Sequence, residues 1–323
     1  MIGNLFGWVV LVTIVVVLGW LTWRAWHLRR AILKWPAVAL SSLLTLVFAL
    51  VAGVTGRGLA MMYTSPPHTP ATDLKVAGTP EQIARGEHLA RSLCAGCHST
   101  TGEPPLGGGV NLGKEIPMPI GDIISFNLTP GGPLKNWTDG EIMRVIRQGM
   151  DKDGRRLLIM ATQPVRNFSD DDIQSIIAYV RSQPALPNPP KQGDFPNLLL
   201  AVFVGANLLP AAPPPITGSI TAPPKGPTVE YGKYVLSYND CYQCHGDNYT
   251  GGTPGGLTPV GPSLRVVLGW TREQFITTLR TGVDPSGHQL SSQMPWRTFG
   301  KMDDDELGGV YEYLHSLPPV ASQ

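Results

Sequence analysis

Cys94-Ala95-Gly96-Cys97-His98 and Cys241-Tyr242-Gln243-Cys244-His245 decide the reading of this chain. Each has the Cys-x-x-Cys-His spacing by which a c-type haem is attached. Two thiols at this spacing can each form a thioether to one haem vinyl group. The adjacent histidine is then carried beneath the iron and supplies one axial nitrogen. The motifs use all 4 cysteines, so no thiol is left for a disulfide or a nucleophile. A structural zinc site also uses Cys-x-x-Cys, but its second pair normally follows within a few tens of residues. Here the pairs begin as far apart as Cys94 and Cys241. A dithiol redox site would not need the trailing histidine twice. The expected cofactors are therefore two covalent c-type haems. Cys94 and Cys97 hold the first and Cys241 and Cys244 the second, with His98 and His245 on the irons.

The sequence around the motifs repeats. Trp137-Thr138, Arg147, Gly149, Asp151 and Gly154 recur at one constant offset as Trp270-Thr271, Arg280, Gly282, Asp284 and Gly287. With one added residue, Met160, Ser169, Tyr179 and Pro184 align with Met294, Asp303, Tyr313 and Pro318. Met160 and Met294 thus stand at the same distance before a helix N-cap. An unligated core methionine has little reason to recur in that register, so both are expected as second axial ligands. Met118, in Pro117-Met118-Pro119, competes with Met160 as a loop residue. Met143 and Met150 lie in or at the end of a helix and read as core or surface. Methionine sulfur opposite histidine fills both axial positions and favours ferrous iron, which suits electron transfer and leaves no open position for oxygen or peroxide. His27, His68, His88, His288 and His315 read as surface or local packing.

Helix signals frame the first motif. Thr79-Pro80-Glu81-Gln82 has an N-cap, a proline at N1 and a capping-box glutamine, and Ile83, Gly86, Ala90 and Leu93 share the following face. Thr138 and Glu141 form a second capping box, with Ile142, Val145 and Ile146 inward and Gly149 at C′. Ser169 opens a third helix, where Asp170, Asp171 and Asp172 complement the positive helix end. Ile173, Ile176, Ile177 and Val180 face inward before Pro184 stops it.

Upstream, Leu5 to Trp26 is almost unbroken apolar sequence, and Ala37 to Gly56 carries no charge. About 20 helical residues span the roughly 30 Å hydrocarbon core, so both qualify as membrane spans. A cleaved signal peptide would carry positive charge before the apolar run. Here Arg24, Arg29, Arg30 and Lys34 follow it instead. The expectation is an uncleaved hairpin in the cell (inner) membrane, multi-pass, with a basic cytoplasmic loop and everything after Tyr63 on the periplasmic or outer face. Trp8, Trp20, Trp23, Trp26 and Trp35 are candidate interfacial anchors. The low charged fraction, 15%, agrees with a membrane portion. With 25 basic and 24 acidic residues, nothing suggests a nucleic-acid partner.

The expected fold is mainly α: a transmembrane helical hairpin (1–63), a linker (64–78), a first haem domain (79–187), a proline-rich connector (188–227) and a second haem domain (228–323). The apolar part of the connector, Phe195 to Leu209, is too short to span a membrane comfortably. It is expected as a helix buried between the two haem domains, the alternative being a surface laid on the membrane or on a partner. Residues 79–190 carry 11 basic and 12 acidic side chains, net −1, and residues 228–323 carry 6 and 10, net −4. The second domain could therefore steer a soluble basic electron carrier.

The soluble part, about residues 80–320, resembles the multihaem cytochrome c subunits of membrane-bound alcohol, aldehyde and gluconate dehydrogenases. The resemblance rests on Leu93-Cys94-Ala95-Gly96-Cys97-His98, on Asn127-Leu128-Thr129-Pro130 leading to Trp137-Thr138-Asp139, and on Met294-Pro295-Trp296 with Phe299 before an acidic helix start. Two class I cytochrome c-like domains are implied, with a non-catalytic role relaying electrons from a dehydrogenase subunit or membrane redox complex. The second domain also resembles monohaem cytochromes c. That resemblance implies that Pro262, in Gly261-Pro262-Ser263-Leu264, holds the axial ring N–H with its carbonyl. The first copy has no evident counterpart to it. The chain departs from the dehydrogenase subunits in having two haem motifs where three are common. Its anchor-first layout looks like the dihaem subunit of a haem–copper oxidase, and a subunit of a quinol-oxidising complex is a further reading. A dihaem peroxidase is the competing class, and it would need one open iron.

Overall fold

The computed structural model describes residues 2–64, 70–116, 118–209, 213–253 and 258–318. Helix α1 (Ile2–Trp26) and α2 (Ala31–Tyr63) pack side by side. They are two candidate membrane-spanning helices and support membrane anchoring; the most apolar window of α1 has no residue buried in protein. Helix α2 exceeds the uncharged stretch at both ends. Pro36, the sixth residue of α2, lies inside the helix and removes one N–H from its ladder, and Arg57 lies near its far end. At 33 residues α2 is about 50 Å long, well beyond a hydrocarbon core. At the turn, Trp26 and Trp35 stack edge to face at 5.8 Å, with Lys34 Nζ 4.5 Å from the Trp26 ring. The linker residues 65–69 lie outside the described residues.

The first haem-bearing unit contains α3 (Pro80–Leu89), a π-helical turn (Ala90–Cys94), α4 (Ala95–His98), strand β1 (Gly121–Ile124), α5 (Asp139–Gln148) and α6 (Asp170–Ser182). The capping boxes at Thr79/Gln82 and Thr138/Glu141 form as the sequence indicates, and Ser169 accepts from the Asp172 N–H. Gly149 closes α5 in the left-handed region at φ 66°. Helices α3 and α6 cross so closely that a Cβ on Gly86 would lie 1.9 Å from the Ser175 carbonyl oxygen.

Strand β2 (Gly193–Pro196) and α7 (Leu198–Gly205) belong to the connector. The second unit contains α8 (Val229–Tyr238), α9 (Cys241–His245), α10 (Arg272–Thr281), α11 (Trp296–Phe299) and α12 (Asp304–Ser316). It repeats the loop hydrogen bonds of the first. The loop after α5 closes through Leu157 N–H to Gly149 O (2.8 Å) and Asp151 N–H to Arg155 O (2.9 Å). The loop after α10 closes through Leu290 N–H to Gly282 O (2.7 Å) and Asp284 N–H to His288 O (3.0 Å). Helices α8 and α12 cross at Gly232, whose Cβ would meet the Gly309 carbonyl oxygen at 1.8 Å.

The connector corrects one expectation. The apolar segment is not buried between the haem-bearing units. Strand β2 pairs antiparallel with β1, Gly121 opposite Pro196, and this carries α7 onto α2. A Cβ on Gly58 would lie 1.8 Å from the Ala201 carbonyl oxygen, and one on Gly205 would lie 1.9 Å from that of Val54. Two glycines thus let the helices touch backbone to backbone. Asn4 of α1 ties the arrangement, donating to Pro196 O (2.7 Å) and Tyr63 Oη (3.0 Å). The space between the units is already filled by their own helices, which share one hydrophobic core. Pro210 of the connector lies outside the described residues.

Candidate functional site

The first attachment motif starts at the end of the π-helical turn, so α3 feeds Cys94 directly into α4. Cys94, Cys97 and His98 open onto a cavity of about 350 Å³. Its wall is mostly apolar, including Leu93, Phe126, Trp137, Ile142 and Ile146. Met160 lines the same cavity, and Met118, Met143 and Met150 do not. Met118 instead packs in a cluster with Leu59 and Met62 of α2, while Met150 is buried beside the α5 cap. Two thiols, an imidazole and a thioether converging on one apolar space fit a c-type haem.

His98 Nδ1 stands 2.9 Å from the Phe126 carbonyl oxygen. A carbonyl only accepts, so Nδ1 carries the proton and Nε2 keeps its lone pair for a metal. Burial lowers the His98 pKa, partly offset by the Phe126 carbonyl, which keeps the ring neutral and ligand-competent. Burial likewise pushes the Cys94 thiol up to about 12, with the neighbouring Cys97 adding to it. Both the neutral thiol and a neutral thioether suit that buried position.

Phe126 is the counterpart that the sequence left unassigned. Its carbonyl is fixed by Asn127, whose backbone N–H donates to Gln192 Oε1 (3.0 Å) and whose Oδ1 accepts from Thr129 N–H (2.9 Å) and Thr129 Oγ1 (2.7 Å). The Asn127-Leu128-Thr129 run was the available signal, a buried Asx turn just after the residue that matters. In the second unit, His245 Nδ1 stands 2.7 Å from the Pro262 carbonyl oxygen, as the sequence implied. Gly261 permits the approach, because a Cβ there would meet His245 Nδ1 at 2.8 Å. Burial pushes the Cys241 thiol up to about 12, with the Asp240 carboxylate adding to it. Met294 is half-buried against the core, just before α11.

The two units meet through a reciprocal interface. Two residues after the crossing glycine of α3 comes His88, whose Nε2 lies 2.7 Å from Glu306 at the N3 position of α12. Two residues after the crossing glycine of α8 comes Tyr234, whose hydroxyl donates to Asp172 at the N3 position of α6 at 2.5 Å. The same pairing is made in both directions, as across a pseudo-two-fold axis. Arg85 bridges the halves. It donates to Asp172 from Nε (2.8 Å) and Nη2 (3.2 Å), and to Glu306 from Nη1 (3.0 Å). Burial works to lower the Arg85 pKa, but the bond and charge of Asp172, with Tyr231 and Glu306, hold it above the ordinary value. Sequence reading took His88 for local packing and gave no role to Arg85.

This interface also seats the first motif against the second unit. The π-helical turn that carries Cys94 packs against α11, just after Met294. Lys301 Nζ donates to Gly102 O (2.7 Å) and pairs with Glu103 (2.7 Å), which follow the first motif. Burial pushes the Cys97 thiol up, and the charge of Asp240, next to Cys241, reaches it across the interface.

Comparison with known proteins agrees with this geometry. The family described as Cytochrome c matches residues 229–318, and that described as Cytochrome C oxidase, cbb3-type, subunit III matches residues 81–180. The chain is 30% identical over 277 residues to the cytochrome c subunit of alcohol dehydrogenase (quinone) from Gluconobacter oxydans (strain 621H), covering 74% of this chain and 55% of that protein. It is 28% identical over 174 residues to the gluconate 2-dehydrogenase cytochrome c subunit of Pantoea cypripedii, covering 50% of this chain and 37% of that protein. It is 31% identical over 121 residues to the fructose dehydrogenase cytochrome subunit of Gluconobacter japonicus, covering 35% of this chain and 24% of that protein. The chain thus spans about half the length of the first of these, or less of the others. Two Cys-x-x-Cys-His motifs in matching helical surroundings, together with these likenesses, support two covalently bound c-type haems in a chain that resembles the cytochrome c subunits of dehydrogenases.

Proposed function

We propose that this chain is a membrane-anchored relay, passing single electrons between a membrane dehydrogenase or redox complex and a downstream acceptor on the periplasmic side. The observation that carries the proposal is the reciprocal interface, which seats the turn carrying Cys94 against α11, just after Met294. When bound, the haems supply reversible one-electron chemistry. The chain's own residues determine how it is used. Met160 and Met294, with His98 and His245, would hold the irons and would leave no ligand position for oxygen or peroxide, which suits electron exchange. Phe126 O and Pro262 O hold the histidine rings in one tautomer, so reduction requires little reorganisation. The apolar wall excludes water and favours the less charged ferrous state.

In this reading α1 and α2 form a transmembrane hairpin and residues 79–187 and 228–323 are class I cytochrome c-like domains. The chain itself catalyses no bond chemistry. The net negative charge of the second domain favours a basic soluble carrier at that end. Likeness to subunits of alcohol, gluconate and fructose dehydrogenases supports a dehydrogenase as the donor. The test is gentle solubilisation of native membranes and purification by haem absorbance. A copurifying flavoprotein or quinoprotein, whose substrate reduces both haems, is the expected result. Recovery with a copper-containing oxidase core would move the chain to an oxidase, and peroxide turnover by the isolated chain would contradict the relay.

A further inference from the structure

Helix α7 is apolar on every side. From Phe195 to Leu209 the chain carries no charged residue. A helix that is apolar all round belongs either inside protein or in lipid. One face of α7 meets the first condition: Leu200, Ala201 and Gly205 are buried against α2. The opposite side meets neither within the protein. Leu199 is 38% exposed, and of the residues flanking the helix Phe195 is 46% and Leu208 62% exposed.

The position of α7 says what covers that side. Along α1, the distance from Trp26 to Gly7, which lies beneath Leu198, is about 29 Å at 1.5 Å per residue. Along α2, the distance from Trp35 to Val54, which faces Gly205, is also about 29 Å. Both figures equal about one hydrocarbon thickness, roughly 30 Å. The tryptophan pair with Lys34 marks one edge of that layer, so α7 lies at the other. Its open side continues the exposed apolar surface of α1 and α2, and the charged head of Lys191 caps the Phe195 ring at 4.5 Å. Arg57, at the same level, turns from lipid to donate to Gly205 O and to Asn207 Oδ1 (3.0 Å), at the negative end of α7.

We infer that α7 is a membrane-embedded helix running antiparallel beside the outer end of α2, with its exposed Leu199 and the adjoining Leu208 seated among the acyl chains of the outer leaflet. The inference rests on the membrane-hairpin reading and adds a third contact with the bilayer. It has a consequence for the first haem site. Leu158 and Ile159, directly before Met160, pack in the same cluster as Leu200 and Ala201 of α7. The methionine side of that site is thereby fixed toward the membrane, and the first domain cannot swing freely on its linker.

The test uses the full haem-loaded chain in phosphatidylcholine nanodiscs. The four native cysteines are occupied as thioethers, so a nitroxide can be placed on Leu199→Cys, on Leu208→Cys, on Val16→Cys in α1 and on Glu273→Cys as an aqueous control. Collision with oxygen and with a water-soluble nickel chelate is then compared, in variants that retain the parent haem spectrum. The expected result is that labels at 199 and 208 favour oxygen over the chelate, as at 16, while 273 favours the chelate. Labels at 199 and 208 that match 273 while 16 lies in lipid would overturn the α7 inference alone. Chelate access at 16 would overturn the hairpin, and the inference with it.

Discussion

Arg85→Ala is expected to lower the unfolding free energy by about 3 kcal/mol, among the largest losses of any single surface-accessible side chain in the molecule. The reason is what it leaves behind. Glu306 is 1% exposed and Asp172 is also buried. Both carboxylates keep their place at the interface, and neither gains water when the guanidinium is removed. His88 and Tyr234 each retain one bond to them, but neither bridges both carboxylates as the guanidinium does. Denaturant unfolding followed by haem absorbance checks this. Arg85→Lys should recover only part of the loss, because an ammonium cannot hold two carboxylates with a planar fork. Arg280→Ala, which breaks an exposed pair with Asp304, should change stability by less than about 1 kcal/mol. Flash-induced electron exchange between the haems should slow in Arg85→Ala even where both sites remain intact. An unchanged rate and stability would mean that Arg85 does not hold the domains in register.

Met294→Leu is expected to give the largest electronic effect. Leucine fills similar volume, so the helix and the α11 cap should survive with little loss of stability. It offers no lone pair, however, so on the proposed His/Met ligation a ligand position at the second haem would open. The ferric haem then becomes high-spin, and its potential falls on the order of 0.2 V, within the range of about 0.8 V that axial ligands can span. Met160→Leu should do the same at the first haem. Met118→Leu should leave both spin states unchanged, because that side chain packs toward α2. Optical and electron paramagnetic resonance spectra of the three variants separate these outcomes. A spin change in Met118→Leu would reassign the first ligand.

The haem motifs, their repeat and the helix caps were legible because each is a local rule. Thr79 with Gln82, Thr138 with Glu141, and Gly149 and Gly282 each at the end of its own helix, act within a few residues of sequence. Pro262 was likewise found through its family resemblance. What escaped depends on contacts between distant segments. The Phe126 carbonyl takes the same role with no proline to mark it, held by Asn127 and by Gln192 from the connector. Strands β1 and β2 are four residues each and show no clear alternation. Their pairing diverts the apolar helix onto α2, where periodicity alone would have buried it between domains. The interface is reciprocal because the domains are copies, yet the paired residues differ in type. Histidine in one copy answers tyrosine in the other, and aspartate answers glutamate, so an alignment of the halves does not reveal them.

The most direct single measurement is a redox titration of the purified full-length chain, followed by low-temperature electron paramagnetic resonance. Two filled His/Met sites predict two low-spin ferric signals, each disappearing in a one-electron step, with no high-spin ferric component. A high-spin signal in the resting protein would mean an open iron and point instead to peroxide chemistry, and a single titrating haem would contradict the relay outright.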